Sequence, residues 1–121
     1  MLLAGSRDIT DYVFWKPLFM SVLHHNEITT IVSGGARGAD AMAKMLAEDT
    51  GLPYLEFPAE WDKLGKKAGF VRNIDLVNAC DFALILWDGS SKGTTHTLKL
   101  LDDSGKPYLR ISMHNMGNKD A

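Results

Sequence analysis

Ile28-Thr29-Thr30-Ile31-Val32 runs directly into Ser33-Gly34-Gly35-Ala36-Arg37-Gly38-Ala39-Asp40, and how this stretch is read decides the fold. The first five residues are apolar or β-branched and read as a strand. Behind the glycines, Ala39 to Thr50 is built of good helix formers, with Ala43, Leu46 and Ala47 on one face. Gly51 is a natural stop for that helix, with Pro53 just beyond. The order is therefore strand, glycine-rich turn, helix. Such a turn lets backbone approach a ligand closely, and the free amides of the helix start favour an anion. Two readings follow, a site for a phosphorylated molecule or a tight turn with no ligand, and the stretch alone does not choose between them.

The same alternation continues outward. Met1 to Ala4 reads as a first strand ending at Gly5-Ser6-Arg7-Asp8. A helix follows over Tyr12 to His25, capped by Thr10 or Asp11, and Pro17 argues for a true start nearer Trp15 or Lys16. Tyr54 to Phe57 is a third strand, Pro58 to Gly65 a loop, and Lys66 to Ala79 a helix with Ala68, Val71, Ile74, Val77 and Asn78 along its inner edge. Asp81 to Trp87 is a fourth strand. Asp88 to Lys92 is a polar turn, and a helix opens at Gly93 or Thr94 and ends near Gly105. Pro107 to Ile111 is a fifth strand. Five apolar strands alternating with four helices predict an α/β domain: a Rossmann-like, doubly wound parallel sheet with helices on both faces. The expected domain spans 1–113, and 114–121 reads as a disordered C-terminal tail. In this architecture ligands bind beyond the carboxyl ends of the strands. Four loops converge there by this reading: Gly5 to Asp8, Ser33 to Asp40, Pro58 to Gly65, and Asp88 to Thr94.

Composition narrows the class of function. The 121 residues are 45% apolar and 23% charged, with net charge −2, which is ordinary for a globular domain. A protein that coats nucleic-acid duplexes carries a basic excess, so duplex binding is not expected. The single cysteine, Cys80, sits among apolar neighbours and reads as a buried structural thiol in a reducing compartment. With no signal-like segment and only strand-length apolar runs, the chain reads as cytoplasmic and not membrane-bound. The four histidines form no metal-ligand spacing, there is no HExxH or CxxC, and no metal or cofactor is expected.

The glycine turn is neither a GxGxxG fingerprint nor a Walker A loop. Gly34, Gly35 and Gly38 can still present amides in a concave nest, with Arg37 available for a phosphate. Asp40 at the helix start fits either a capping carboxylate or an acceptor for a ribose hydroxyl. Gly89-Ser90-Ser91-Lys92-Gly93-Thr94 is a second loop of the same kind, and its plain alternative is Ser or Thr capping a helix. Arg72 and Asn73 fall within a helix, where asparagine is a mediocre former and invites a polar partner. Trp61 could stack on a base or cover the edge of the core.

Taken together, Gly5-Ser6-Arg7, Ser33 to Asp40, Ala59-Glu60-Trp61 followed by Gly65-Lys66-Lys67-Ala68-Gly69, Arg72-Asn73, and Ser91-Lys92-Gly93-Thr94 with His96 resemble the YspA-like, YpsA-related branch of the SLOG superfamily. That superfamily also holds the Lonely Guy phosphoribohydrolases and DNA-processing protein A. The resemblance implies a Rossmann-like fold that binds nucleotides or nucleotide-derived ligands, with Gly34, Gly35 and Gly38 lining the site. It implies that Arg72 matches the helix arginine of the hydrolases, and that Ser91, Lys92, Gly93 and Thr94 match their phosphate loop. It further implies a homodimer or larger homo-oligomer. One departure bears on chemistry. The hydrolases carry PGGxGTxxE with a catalytic glutamate, and Thr97 stands at that position here. A threonine supplies no carboxylate. The expectation is therefore a binding module for a small nucleotide-like ligand, ADP-ribose-like or cyclic nucleotides included. The alternative is an N-glycosidase in which Asp40, Glu60 or Asp88 supplies the carboxylate and Arg72 places the phosphate.

Overall fold

A computed structural model describes residues 1–112, so Met113 and the tail expected over 114–121 lie outside the described residues. Strands β1 (Leu2–Gly5), β2 (Ile31–Ser33), β3 (Tyr54–Glu56), β4 (Ala83–Trp87) and β5 (Tyr108–Ser112) form one sheet. All pairings are parallel and the order is β3-β2-β1-β4-β5. The helices are α1 (Tyr12–His25), α2 (Ala39–Thr50), the short α3 (Trp61–Leu64), α4 (Ala68–Ala79) and α5 (Lys92–Ser104), with a 3-10 turn over Gly65–Lys67. This is the doubly wound Rossmann-like arrangement expected from the strand–helix alternation.

Alternation along the strands sorts the core into two layers. Leu3, Ile31, Leu84 and Leu86 face one side with Trp15 and Phe19 of α1 and Met42 and Leu46 of α2. Leu2, Val32, Ala83 and Ile85 face the other with Leu76 and Val77 of α4 and Leu98 and Leu101 of α5. Successive strand residues point to opposite faces, so apolar runs are what a sheet covered on both sides requires. The chain winds from β1 outward through β2 to β3, then returns to β4 on the other side of β1. The winding therefore reverses between β1 and β4, where Gly5 is opposite Leu86. Loops leaving these two strands diverge and open a crevice, the usual ligand position in such folds.

Several boundaries differ from the sequence reading, each for a local reason. Helix α1 begins at Tyr12 despite Pro17, because Asp11 caps it by accepting from the Phe14 amide at 3.2 Å. The amide that Pro17 lacks would have bonded the carbonyl of Val13, a residue 83% exposed. Strand β2 starts only at Ile31, since the Ile28 amide is spent on the Leu23 carbonyl at the end of α1. The expected loop over Pro58 to Gly65 contains α3, and α4 starts at Ala68 after the 3-10 turn. On α4 the buried residues are Ala68, Asn73, Leu76 and Val77, while Val71 and Ile74 are exposed. The inner face is thus rotated from the expected one, with Asn73 at its centre. Helix α5 opens at Lys92 because Ser91 is its cap. Cys80 is buried and free, and desolvation pushes its thiol above the ordinary value. Among the described residues no helix is long and apolar enough to cross a membrane.

Candidate functional site

The loop after β2 is knotted by its own side chains. The Ser33 hydroxyl donates to the Asp40 carbonyl at 3.2 Å and accepts from the Gly35 amide at 3.1 Å. The Ala36 amide donates to Asp40 Oδ2 at 3.2 Å. Gly38 caps α2 at φ 77°, and a Cβ there would lie 2.5 Å from the carbonyl oxygens of both Ser6 and Arg7. The first loop therefore packs directly against the start of α2, and the Ala39 amide donates to the Ser6 carbonyl at 3.3 Å. Ser6 also ties down the loop after β4, since its hydroxyl accepts from the Asp88 amide at 3.0 Å. Ser6 and Ser33 are both buried and serve as stitches between loops rather than as open donors.

The loop after β4 is ordered by Asp88. Its Oδ1 accepts from the amides of Ser90 and Ser91 at 2.9 and 3.0 Å. Those amides hold the Asp88 carboxyl below its ordinary pKa. Ser91 Oγ then caps α5, accepting from the Thr94 amide at 3.4 Å and the Thr94 hydroxyl at 3.1 Å. The amides of Lys92 and Gly93 occupy the first turn of α5, where helix geometry supplies no intrahelical acceptor.

Helix α4 closes the third side. Asn73 is 6% exposed and makes bonds in three directions. Its Oδ1 accepts from Arg72 Nε at 3.1 Å, and its Nδ2 reaches the Gly93 carbonyl at 3.3 Å and His96 Nδ1 at 3.1 Å. Burial lowers the His96 pKa, which fits a neutral ring accepting at Nδ1. Arg72 Nη1 donates to the Gly34 carbonyl at 3.0 Å. A Cβ on Gly34 would come within 2.9 Å of both Arg72 Cζ and Asp40 Oδ2. Glycine at this position is what lets the guanidinium and the carboxylate share the space.

These three walls enclose a cleft of about 400 Å³ at the carboxyl edge of β1 and β4. Of the residues expected at a site, Gly5, Arg7, Arg37, Asp40, Arg72 and Asn73 line it, as do Ser91, Lys92, Gly93 and Thr94. Asp88 is there as well. Ser33, Gly34, Gly35 and Gly38 shape the wall from behind. Glu60 and Trp61 are elsewhere, around a separate hollow of about 270 Å³ beside α3. The third of the four expected loops thus stands away from the cleft, and α4 takes its place. Asp8, Leu76 and Thr97 also line the cleft and were not among the expected site residues. Leu76 follows Arg72 by four on one helix, a spacing that places both on one face. Asp8 ends the first of the loops expected at this edge, but a carboxylate beside an anion site carried no chemical signal of its own. The Thr97 hydroxyl turns back to the Gly93 carbonyl at 3.1 Å.

The electrostatics are mixed, with four cations and the carboxyls of Asp8, Asp40 and Asp88 in one lining. Arg7, Arg37, Arg72 and Lys92 line the cleft, yet among the described residues none of them forms an ion pair within 4 Å; the pairs present lie elsewhere on the surface. Asp40 is the buried acid of the cleft at 6% exposure. Desolvation raises its pKa, opposed by the Ala36 amide and by the charges of Arg72 and Arg7.

The model of the YspA, cpYpsA-related SLOG family matches residues 1–64, which run from β1 through the glycine turn and α2 to the end of α3. The chain belongs to this family. The "Gene 61 protein" of Mycobacterium phage D29 is 33% identical over 126 aligned positions, covering 98% of this chain and 97% of that protein. No solved structure matches the chain. In this SLOG protein, the family profile ends before Arg72, Asn73 and the α5 loop, so those parts of the cleft rest on the geometry described above.

Proposed function

We propose that this SLOG protein binds a nucleotide or nucleotide-derived ligand through its phosphate in the cleft between the loops after β1, β2 and β4. The observation that carries this reading is four cationic side chains that share one cleft with the carboxyls of Asp8, Asp40 and Asp88 yet, among the described residues, form no ion pair within 4 Å, in a chain of net charge −2. Unpaired cations beside the open amides of a helix start are an arrangement that an oxyanion completes. Membership in the SLOG family supports a nucleotide-related ligand. Calorimetric titration with nucleoside monophosphates, ADP-ribose and cyclic nucleotides tests the reading. Saturable binding that weakens in Arg72→Ala supports it, and no heat from any of them at millimolar concentration rejects it.

A second reading is favoured by Asp40. A buried carboxyl with a raised pKa, lining the same cleft as Arg72, has the character of a general acid. In an N-glycosidase it would protonate the departing base as the C–N bond breaks, and the water that adds at the sugar carbon would return its proton to the Asp40 carboxylate. Asp88 is less suited, with two amides holding it ionised, and Glu60 is outside the cleft. Incubation with nucleoside monophosphates and chromatography for free base decides this. Release of base that Asp40→Asn abolishes supports it, and no release leaves binding alone.

A further inference from the structure

The guanidinium of Arg72 is held by Nη1 on the Gly34 carbonyl and by Nε on Asn73 Oδ1, while among the described residues Nη2 has no partner. The amide of Asn73 fits in one orientation. An arginine Nε only donates and a peptide carbonyl only accepts, so Oδ1 faces Arg72 and Nδ2 faces the Gly93 carbonyl at 3.3 Å. The same Nδ2 points at His96 Nδ1 at 3.1 Å, so the ring must accept there and carry its proton on Nε2. His96 does not line the cleft; it stands behind the wall, edge-on to Phe70 with ring centroids 4.7 Å apart. On the two helices beside the ring, the charges nearest in sequence are Lys92 and Lys99 of α5 and Lys67, Arg72 and Asp75 of α4. None of them shifts the ring's titration, which burial moves downward.

We propose that His96 is a pH-dependent positioning residue: uncharged, it fixes Asn73 and through it Arg72, and protonated, it releases Arg72, so that the affinity of the cleft for an oxyanion falls in mild acid. The effect on affinity rests on the reading of the cleft as a phosphate site. The ring takes one proton from solvent at Nδ1 and becomes a donor at both nitrogens. Two donors then face each other across the 3.1 Å contact. The conflict is relieved when the Asn73 amide turns over and presents Oδ1 to the new N–H. That turn sets Nδ2 against Arg72 Nε, donor to donor, and the bond that holds the guanidinium is lost. The Gly93 carbonyl is not left bare, because the Thr97 hydroxyl still donates to it at 3.1 Å. The sense is opposite to that of plain electrostatics, in which a new positive charge near an anion site strengthens binding.

The test compares the full chain with its His96→Asn variant between about pH 7.5 and 5, a range that spans histidine titration. Asparagine Oδ1 stands as many bonds from the backbone as histidine Nδ1, so the variant keeps the acceptor and does not titrate. NMR of the Arg72 Nε–H group in ligand-free protein is the first readout. Its signal is expected to shift in the parent with the midpoint of the His96 ring, and to lose that transition in His96→Asn. Inorganic sulfate, whose charge is constant over this range, is then titrated calorimetrically at both ends of it. From the higher to the lower pH, affinity in the parent is expected to fall by about three- to tenfold relative to the variant. Asp40 is present in both proteins, so its own titration cancels in the comparison. An Arg72 signal that ignores the His96 titration overturns the proposal, as does sulfate affinity that changes with pH equally in parent and variant. No sulfate binding at either pH, with the Arg72 signal still following the ring, is a different result: it rejects the phosphate reading of the cleft, and with it the effect on affinity, while the coupling of His96 to Arg72 stands.

Discussion

Arg72 of α4 and Gly34 of the loop after β2 are joined by a bond from Nη1 to the Gly34 carbonyl at 3.0 Å, across 38 positions of sequence. The bond sets a cation over the start of α2, and the missing side chain of Gly34 makes room for it. Arg72→Ala is expected to lower affinity for a phosphorylated ligand by about 10- to 100-fold, the range of one charge-assisted bond. Titration of the variant measures it, with circular dichroism confirming the fold. Unchanged affinity would remove Arg72 from the site.

Gly34→Ala and Gly38→Ala separate function from folding. The methyl at Gly34 meets the guanidinium of Arg72 and the Asp40 carboxylate, both ends of side chains that can turn, so the guanidinium moves aside. Binding is expected to fall about as far as in Arg72→Ala, with less than about 1 kcal/mol lost in urea unfolding. At Gly38 the methyl meets backbone carbonyls of Ser6 and Arg7 at a φ of 77°. About 2–4 kcal/mol of stability is expected to go, because backbone strain adds to a contact that cannot rotate away. Equal stability losses in the two variants would contradict this.

Asn73→Ala is expected to destabilise by about 1–3 kcal/mol in urea unfolding, since it strips partners from Arg72 Nε, the Gly93 carbonyl and His96 together. It should also weaken ligand binding, by unfastening Arg72 from the α5 loop. Loss of stability with full affinity would show that Asn73 holds the helices and not the cleft.

Asp40 gives a stability signature with pH. Its folded pKa is raised by burial above the ordinary 3.8, so the native state holds the proton more tightly than the unfolded chain does. Stability associated with Asp40 is therefore fully present below about 3.8 and is lost as pH rises through the raised value. Asp40→Asn is expected to unfold at higher urea than the parent at pH 7, with the gain shrinking toward zero near pH 3.8. A gain that grows as pH falls would reverse the assignment.

His96 behaves in the opposite sense. Burial depresses its pKa below 6.5, so its contribution is present above 6.5 and is lost as pH falls through the lower folded value. An NMR titration of the ring is expected to show a midpoint below 6.5, with Nδ1 unprotonated at neutral pH, as its bond to Asn73 requires. A midpoint above 6.5 would contradict the buried neutral ring.

Periodicity and turn chemistry were enough to read the winding of this protein. Strand-length apolar runs separated by capped helices are a local property, and Gly51 and Gly105 stop their helices as expected. The glycine turn, the β1 loop and the Ser91–Thr94 loop could be placed at one sheet edge because parallel winding sends every such loop to the same end. Local sequence also marked Asn73 as a mediocre helix former that invites a polar partner.

Tertiary structure alone decided which loops meet. Reversal between β1 and β4 brings their loops against the start of α2, while the loop after β3, at the edge of the sheet, carries Glu60 and Trp61 to a hollow of their own. It also decided the facing of α4. Apolar spacing favoured Val71 and Ile74 inward, but the bonds of Asn73 to Gly93 and His96 turn that face toward α5 and leave both exposed. A sequence records which residues repeat along a helix. Which face is buried depends on what stands across from it, and here the partners are a carbonyl and an imidazole 20 and 23 residues away in the chain.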